Sequence, residues 1–321
     1  MSPLDYPGVA AERAILLLPR CEHRLRFSPG RRLVQARVEP CSVCAVADGD
    51  GPVPMNVELM ARNVADMDSR VAVVAIGSNA SPTVMRAKLA RAGCSLVVPM
   101  TVGVLDNVAV GHSAHVGVLG YMPAAPMRRA GATTPVVVSF LDERQLRAID
   151  DTERNYDRVV LTEARHEVTL VLHERLPRDD RSDEDGPDED EPGEQLSGLH
   201  LYRSHHGLLR IGEETMFFPK QVQVSGWLAA QQVAPWDSQD PADAAAHLAK
   251  DPALRARAFR AFRERDLVID DGLESAEPGE LSYRSTISHW PAEPLTDTTL
   301  RYLPTLDGQS RHGEWWRSGD G

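Results

Sequence analysis

Val71-Ala72-Val73-Val74-Ala75-Ile76-Gly77-Ser78-Asn79-Ala80-Ser81-Pro82 is the stretch on which the reading of this sequence turns. The run up to Ile76 is apolar and rich in β-branched residues, a composition that suits a short buried strand. Gly77 permits dihedrals that a Cβ would forbid, so the strand is expected to break there into a polar turn. Ser81 can cap the exposed amides of a first helical turn, and Pro82 sits where its missing N–H costs nothing. Pro82 to Arg91 is therefore expected to be a helix. Such a break points backbone N–H groups outward at a helix N-terminus, where a carboxylate or phosphate can dock.

A second segment lies about seventy residues on: Leu146-Arg147-Ala148-Ile149-Asp150-Asp151-Thr152-Glu153-Arg154-Asn155-Tyr156-Asp157-Arg158-Val159-Val160-Leu161. It carries an Ile-Asp-x-x-Glu step, then Tyr-x-Arg, then a β-branched strand. With the Gly-Ser-Asn loop before it and the Gly-punctuated stretch from Gly111 to Tyr121 between them, it resembles the gamma-glutamylcyclotransferase-like family. The resemblance runs from Val71 to roughly Gln232, about half of the chain. It implies a cavity in which Gly77, Ser78 and Asn79 hold the carboxylate and amine of a γ-glutamyl group through backbone atoms, and in which Glu153 is the acid/base. Tyr156 is a further substrate-binding candidate, although a packed ring with a bonded hydroxyl is the commoner use of such a tyrosine, and of Tyr121. Two positions depart from the family pattern. Ile76 stands where members usually carry an aromatic residue, which removes a ring or hydroxyl contact with substrate, and Arg154 puts a cation where many have glycine. Without the loop, Glu153 would read as a helix-end carboxylate paired with Arg147, Arg154 or Arg158.

The reaction implied is attack of a γ-glutamyl α-amine on its own γ-carbonyl, which releases 5-oxoproline and an amine. The nucleophile is already tethered, so orientation and proton transfer are the main requirements, and one carboxyl can serve as base and then as acid. The partner is a small γ-glutamyl molecule, and no cofactor, metal or nucleotide is needed. Two other functions fit the same scaffold: a non-catalytic module that holds an acidic small molecule, and an amide or ester hydrolase.

Three regions are expected: an extension over 1–66, a core over 67–235, and a C-terminal extension over 236–321. Many short strands with few helices favour an α+β fold, a small mixed β-barrel core with flanking helices, over a doubly wound sheet. Strands are expected at Ala14 to Leu18, Leu33 to Val38, Ser95 to Pro99, Val102 to Val110, Val136 to Leu141 and Arg158 to Leu161. His166 to Leu172 alternates in hydropathy and is expected to pair with Leu199 to Arg203. The acidic stretch between them, 178–195, has no apolar anchor and is expected to be a disordered hairpin insertion. Asp240-Pro241 and Asp251-Pro252 each read as a cap before a helix, over about 241–249 and 252–265. The tail from Pro278 holds Trp290, Trp315 and Trp316, expected to pack on the core or on a partner subunit.

The formal net charge is −12. Asp179 to Glu194 alone holds ten acids and one arginine, which leaves about −3 for the remainder. The arginines are scattered among acids and form no aromatic-laced basic stripe, so no nucleic-acid partner is expected. No window has the length and apolarity of a membrane span, and Asp5 and Glu12 interrupt any signal-like start, so no membrane partner and a cytoplasmic setting are expected.

Cys41-Ser42-Val43-Cys44 has metal-ligand spacing, and Cys21 with His23 would complete four ligands for a structural zinc. The Cys-x-His half is the less regular part, and the plainer reading is four unliganded residues with no metal. In His112-Ser113-Ala114-His115 the two histidines would face opposite sides of a strand, which prevents shared ligation of one ion. One of them is expected beside Glu153 and the other packed elsewhere. Ser113 lacks the Gly-x-Ser-x-Gly elbow of a hydrolase nucleophile, and His205-His206 reads as a solvated turn.

Overall fold

Ile15, Leu16 and Leu17 are apolar and buried without interruption, and they form β1 (Ile15–Leu17). Its hairpin partner β2 (Glu22–Arg26) alternates, with His23 and Leu25 turned inward and Glu22 and Arg26 outward. The structure, a computed structural model, describes residues 3–26, 33–47, 49, 51–161, 170–173, 195–196, 199–211, 218 and 220–273. Of the acidic stretch 178–195 only Gln195 is described, and Trp290, Trp315 and Trp316 lie outside the described residues.

Short strands β3 (Arg37–Val38) and β4 (Val53–Pro54) extend the hairpin, and α1 (Met55–Ala61) buries Met55 and Leu59 beside them. Next comes β5 (Val71–Ala75), every residue of which is buried. Ala72 and Val74 join one core with Leu16, Leu25, Phe140 and Leu201, while Val71, Val73 and Ala75 join another with Met85, Leu89 and Ile149. A strand covered on both faces reads as a continuous apolar run, which explains its composition. A single 3-10 turn, Ser78–Ala80, leads into α2 (Pro82–Arg91). Ser81 has extended cap geometry, but its side chain makes no capping bond; Pro82 at the first turn marks the helix start instead.

Two long strands follow, β6 (Val98–His112) and β7 (Ala124–Leu141), paired antiparallel with a register shift between Asp106 and Val108. The chain continues with α3 (Glu143–Asp150), β8 (Tyr156–Leu161), β9 (Leu170–His173), β10 (Gln195–Leu196), β11 (Leu199–Ser204) and β12 (Leu208–Leu209). Helices α4 (Gln221–Ala230), α5 (Pro241–Lys250) and α6 (Pro252–Glu264) and strand β13 (Val268–Ile269) complete it. Asp240 and Asp251 cap α5 and α6 as the sequence implied.

Eleven strands make one mixed sheet, ordered β4-β3-β2-β1-β6-β7-β5-β11-β8, with β9 on the middle of β6 and β10 on β9. The fold is α+β. Among the described residues no pairing joins the two ends of that order, so the closed barrel expected from the strand rhythm is not formed. The expected strands at Ser95 to Pro99 and Val102 to Val110 merge into β6, and that at Val136 to Leu141 into β7, two long strands that widen the sheet rather than close it. Leu199 to Arg203 also differs from expectation: β11 pairs antiparallel with β8 and parallel with β5, while β9 pairs with β6 and β10. β1 to β4 belong to this same sheet, so the N-terminal extension shares the core. The C-terminal helices enclose a third apolar cluster around Trp236, Leu248 and Phe262.

Candidate functional site

The chain leaves β5 at Ile76 and turns at Gly77, whose φ of −121° any residue can adopt. Close approach, rather than a special dihedral, is what requires glycine here. A Cβ at this position would stand 2.6 Å from the hydroxyl oxygen of Tyr6. That oxygen accepts the Ala124 N–H at 2.8 Å and a backbone bond from Ser78. The Ala80 and Ser81 amides are spent within the turn, on Gly77 O and Ser78 O. The anion dock expected from the sequence is thus partly filled from within, by a tyrosine that stacks on Tyr121 with ring centroids 4.2 Å apart.

Glu153 sits in consecutive turns beyond α3, held by its N–H to Asp150 O at 3.0 Å and by Tyr156 N–H to its own carbonyl at 2.8 Å. Its Oε1 accepts from Asn79 Nδ2 at 3.0 Å, from Lys88 Nζ at 2.6 Å and, at 3.4 Å, from Thr152 Oγ1. Lys88 also donates to Asn79 Oδ1 at 2.7 Å, which closes a triangle. The cation beside Glu153 is therefore Lys88, not an arginine. Arg154 Nε donates to Asp151 O, Arg147 pairs with Glu143, and Arg158 pairs with Asp150. All of Glu153's bonds among the described residues fall on Oε1, which leaves Oε2 for another group.

The remaining motif residues hold this turn in place. Asp150 takes both arms of the Arg158 guanidinium, at 2.9 and 3.2 Å, and the Tyr202 hydroxyl at 2.7 Å. Arg158 reaches His200 Nδ1 at 2.7 Å, and burial together with that cation pushes His200 well below the usual imidazole range, so it accepts as a neutral ring. A two-pronged pair of this kind fixes both position and angle. The Ile-Asp-x-x-Glu and Tyr-x-Arg steps are accordingly one device that ties the end of α3 to β8 and β11 and presents Glu153 between them.

Gly77, Ser78, Asn79, Glu153 and Tyr156 line one cavity of about 440 Å³, with Tyr6, Lys88, His115 and Tyr121 in the same wall. Tyr156 donates to Ala124 O at 3.0 Å, so the N–H and the carbonyl of Ala124 are each held by a tyrosine. Burial, with the charge of Glu153 adding to it, pushes the hydroxyls of Tyr6, Tyr121 and Tyr156 far up, and all three stay protonated. His115 is driven well down by burial and by His206 and His205 and is neutral. Its Nδ1 meets Ser113 Oγ at 2.6 Å, and that oxygen also meets Ser204 Oγ at 2.6 Å. Ser113 is fully buried and is not among the residues lining the cavity, a poor position for a nucleophile. His112 lies elsewhere, accepting from Phe218 N–H at 3.1 Å. His206 is buried rather than solvated, with its ring 4.6 Å from that of His115.

Sequence reasoning missed Tyr6 and Lys88. Lys88 had a readable signal: it lies among Val84, Met85 and Leu89 on the buried stripe of α2, where a cation needs a partner. Tyr6 had none. Cys21, His23, Cys41 and Cys44 stand outside this cavity, together at the turn of the β1–β2 hairpin. No protein-family model matches the chain, and no curated protein matches it. Among the described residues no helix is long and apolar enough to cross a membrane.

Proposed function

We propose that the protein is a gamma-glutamylcyclotransferase-like enzyme, acting in the cytoplasm on a γ-glutamyl amine or peptide and releasing 5-oxoproline. One observation carries the reading: the Glu153 carboxyl meets the 77–79 loop, through Asn79 Nδ2 at 3.0 Å, in the wall of a cavity of about 440 Å³. That volume suits a small ligand.

In this mechanism the α-ammonium of the bound γ-glutamyl group gives a proton to Glu153 Oε2, while Lys88 and Asn79 hold Oε1 fixed. The freed amine attacks the γ-carbonyl carbon, and a new C–N bond closes the five-membered lactam. The bond to the leaving nitrogen then breaks as Glu153 returns the proton to it; the regenerated carboxylate takes the second proton from the ring nitrogen and passes it to the released amine, so no water is consumed. Positioning supplies most of the rate, because the nucleophile is tethered. Tyr6 supplies a hydroxyl at Gly77, the place where Ile76 offers none.

The test is to incubate the protein with γ-glutamyl amino acids, γ-glutamyl amines and glutathione and to measure 5-oxoproline against Glu153→Gln. Release by the unaltered protein, lost in the variant, is expected. No release above the variant for any of these compounds sinks the proposal. The Lys88–Glu153 ion pair also favours a second reading, a binding module whose neutralised wall holds a ligand without proton transfer. That reading predicts ligand-dependent thermal stabilisation that survives Glu153→Gln, with no turnover.

A further inference from the structure

The hairpin turn that opens β2 and the loop that follows β3 bring three thiols and one imidazole together, although the two segments are about twenty residues apart in sequence. One ligand atom each from Cys21, His23, Cys41 and Cys44 lies within 4.8 Å of all the others. Cys41 Sγ and Cys44 Sγ are 3.8 Å apart, about the edge of a tetrahedron built on zinc–sulfur bonds of about 2.3 Å. Cys21 Sγ and His23 Nε2 approach Cys44 Sγ at 3.1 and 2.9 Å. No disulfide joins any of the cysteines.

We propose that these four side chains bind one zinc ion in a closed, structural site. Three observations support it besides proximity. The Cys41-x-x-Cys44 loop is folded as a ligand loop: the Cys41 N–H bonds Cys44 O at 3.2 Å, and the N–H groups of Val43 and Cys44 both point at Cys41 Sγ, at 3.3 and 3.4 Å. His23 is fully buried on the inward face of β2 and directs Nε2 at the thiols rather than at an acid. Finally, the strands being joined are very short: β3 and β4 have two residues each. Backbone pairing alone holds them weakly, and a cross-link between the hairpin turn and the loop after β3 supplies the missing constraint. The ligand set decides the metal, since soft thiolates with an imidazole select zinc over magnesium or calcium. With four protein ligands no open position remains for substrate, so the role is to staple the segment that carries β1 to β4.

The full chain, purified under reducing conditions without chelator, is expected to carry about one zinc per chain by elemental analysis. Cys44→Ser should lose it, while Cys94→Ser, whose thiol faces Ala92 O and Arg144 O, should retain it. Because Cys44→Ser can unfold the segment, the unaltered protein is also exchanged with cobalt. Strong visible ligand-field bands and thiolate-to-cobalt charge transfer are the expected tetrahedral signature. Zinc well under one per chain, both as purified and after reconstitution with reduced thiols, overturns the proposal. A weak octahedral cobalt spectrum, or a resident Cys21–Cys44 disulfide found by mass spectrometry, does the same.

Discussion

Glu153 and Lys88 keep side-chain exposures of 15 % and 5 %, so each replaces solvent for the other. Lys88→Met leaves a mostly buried carboxylate without its cation, and urea denaturation should show a loss of about 3 kcal/mol. Adding Glu153→Gln should restore much of that loss; strictly additive costs would mean that the two groups are not coupled. At Gly77 the neighbour that matters is the Tyr6 oxygen. Gly77→Ala is expected to cost about 1–3 kcal/mol by overpacking, and Tyr6→Phe, which removes the clashing atom, should make the same alanine cheaper. An unchanged cost in the Tyr6→Phe background would place the clash elsewhere. These residues also mark how far the site was legible. Glu153 and the Gly77 loop could be found from local motifs, and Lys88 from a charge on an apolar stripe. Tyr6 reaches the cavity through chain return over about seventy residues, which no local pattern encodes.

Helix boundaries were the most readable elements, because their signals are local. The Asp-Pro starts of α5 and α6 and Pro82 at the start of α2 each fix a terminus within a few residues. Helix α4 carries no such signal: it contains Gly226 and two valines and begins at a lysine rather than a capping acid. In sequence β6 and β7 look like separate short pieces, because Pro99, Gly103 and Gly111 punctuate one and Pro126 and Pro135 the other. Continuous pairing between the two strands overrides that punctuation, a tertiary effect invisible in either strand alone. The connection between β6 and β7 carries its own constraint. Gly120 has φ 84°, and a Cβ there would fall 2.0 Å from Ala245 O in α5. Gly120→Ala must therefore push α5 away from the loop and should cost more than about 2 kcal/mol in thermal or urea melts. A variant as stable as the parent would show that α5 does not pack there.

Across the whole molecule, buried imidazoles make stability depend on acid. Burial lowers His112 and His206 to about 4, and it holds His115 and His200 well below their ordinary value. The unfolded chain takes up these protons near pH 6.5, whereas folded His112 and His206 do not until about pH 4. Between those limits the unfolded state binds more protons, so stability is full above pH 6.5 and falls as the pH drops toward 4. His112 and His206 each account for about 3 kcal/mol of that fall. Urea midpoints measured from neutral pH downward should decline through this window, and a flat profile would contradict the buried, neutral state of these rings. The parallel pairing of β5 with β11 bears on how the molecule is made. Val73 and Val74 meet His200 and Leu201 across more than 120 intervening residues, the most distant partnership in the central sheet. Closing a loop of that length is slow and comes late in folding. Because Leu201 and Tyr202 also wall the cavity, a ribosome-bound chain that has not yet released them carries the Gly-Ser-Asn loop and Glu153 but no enclosed pocket.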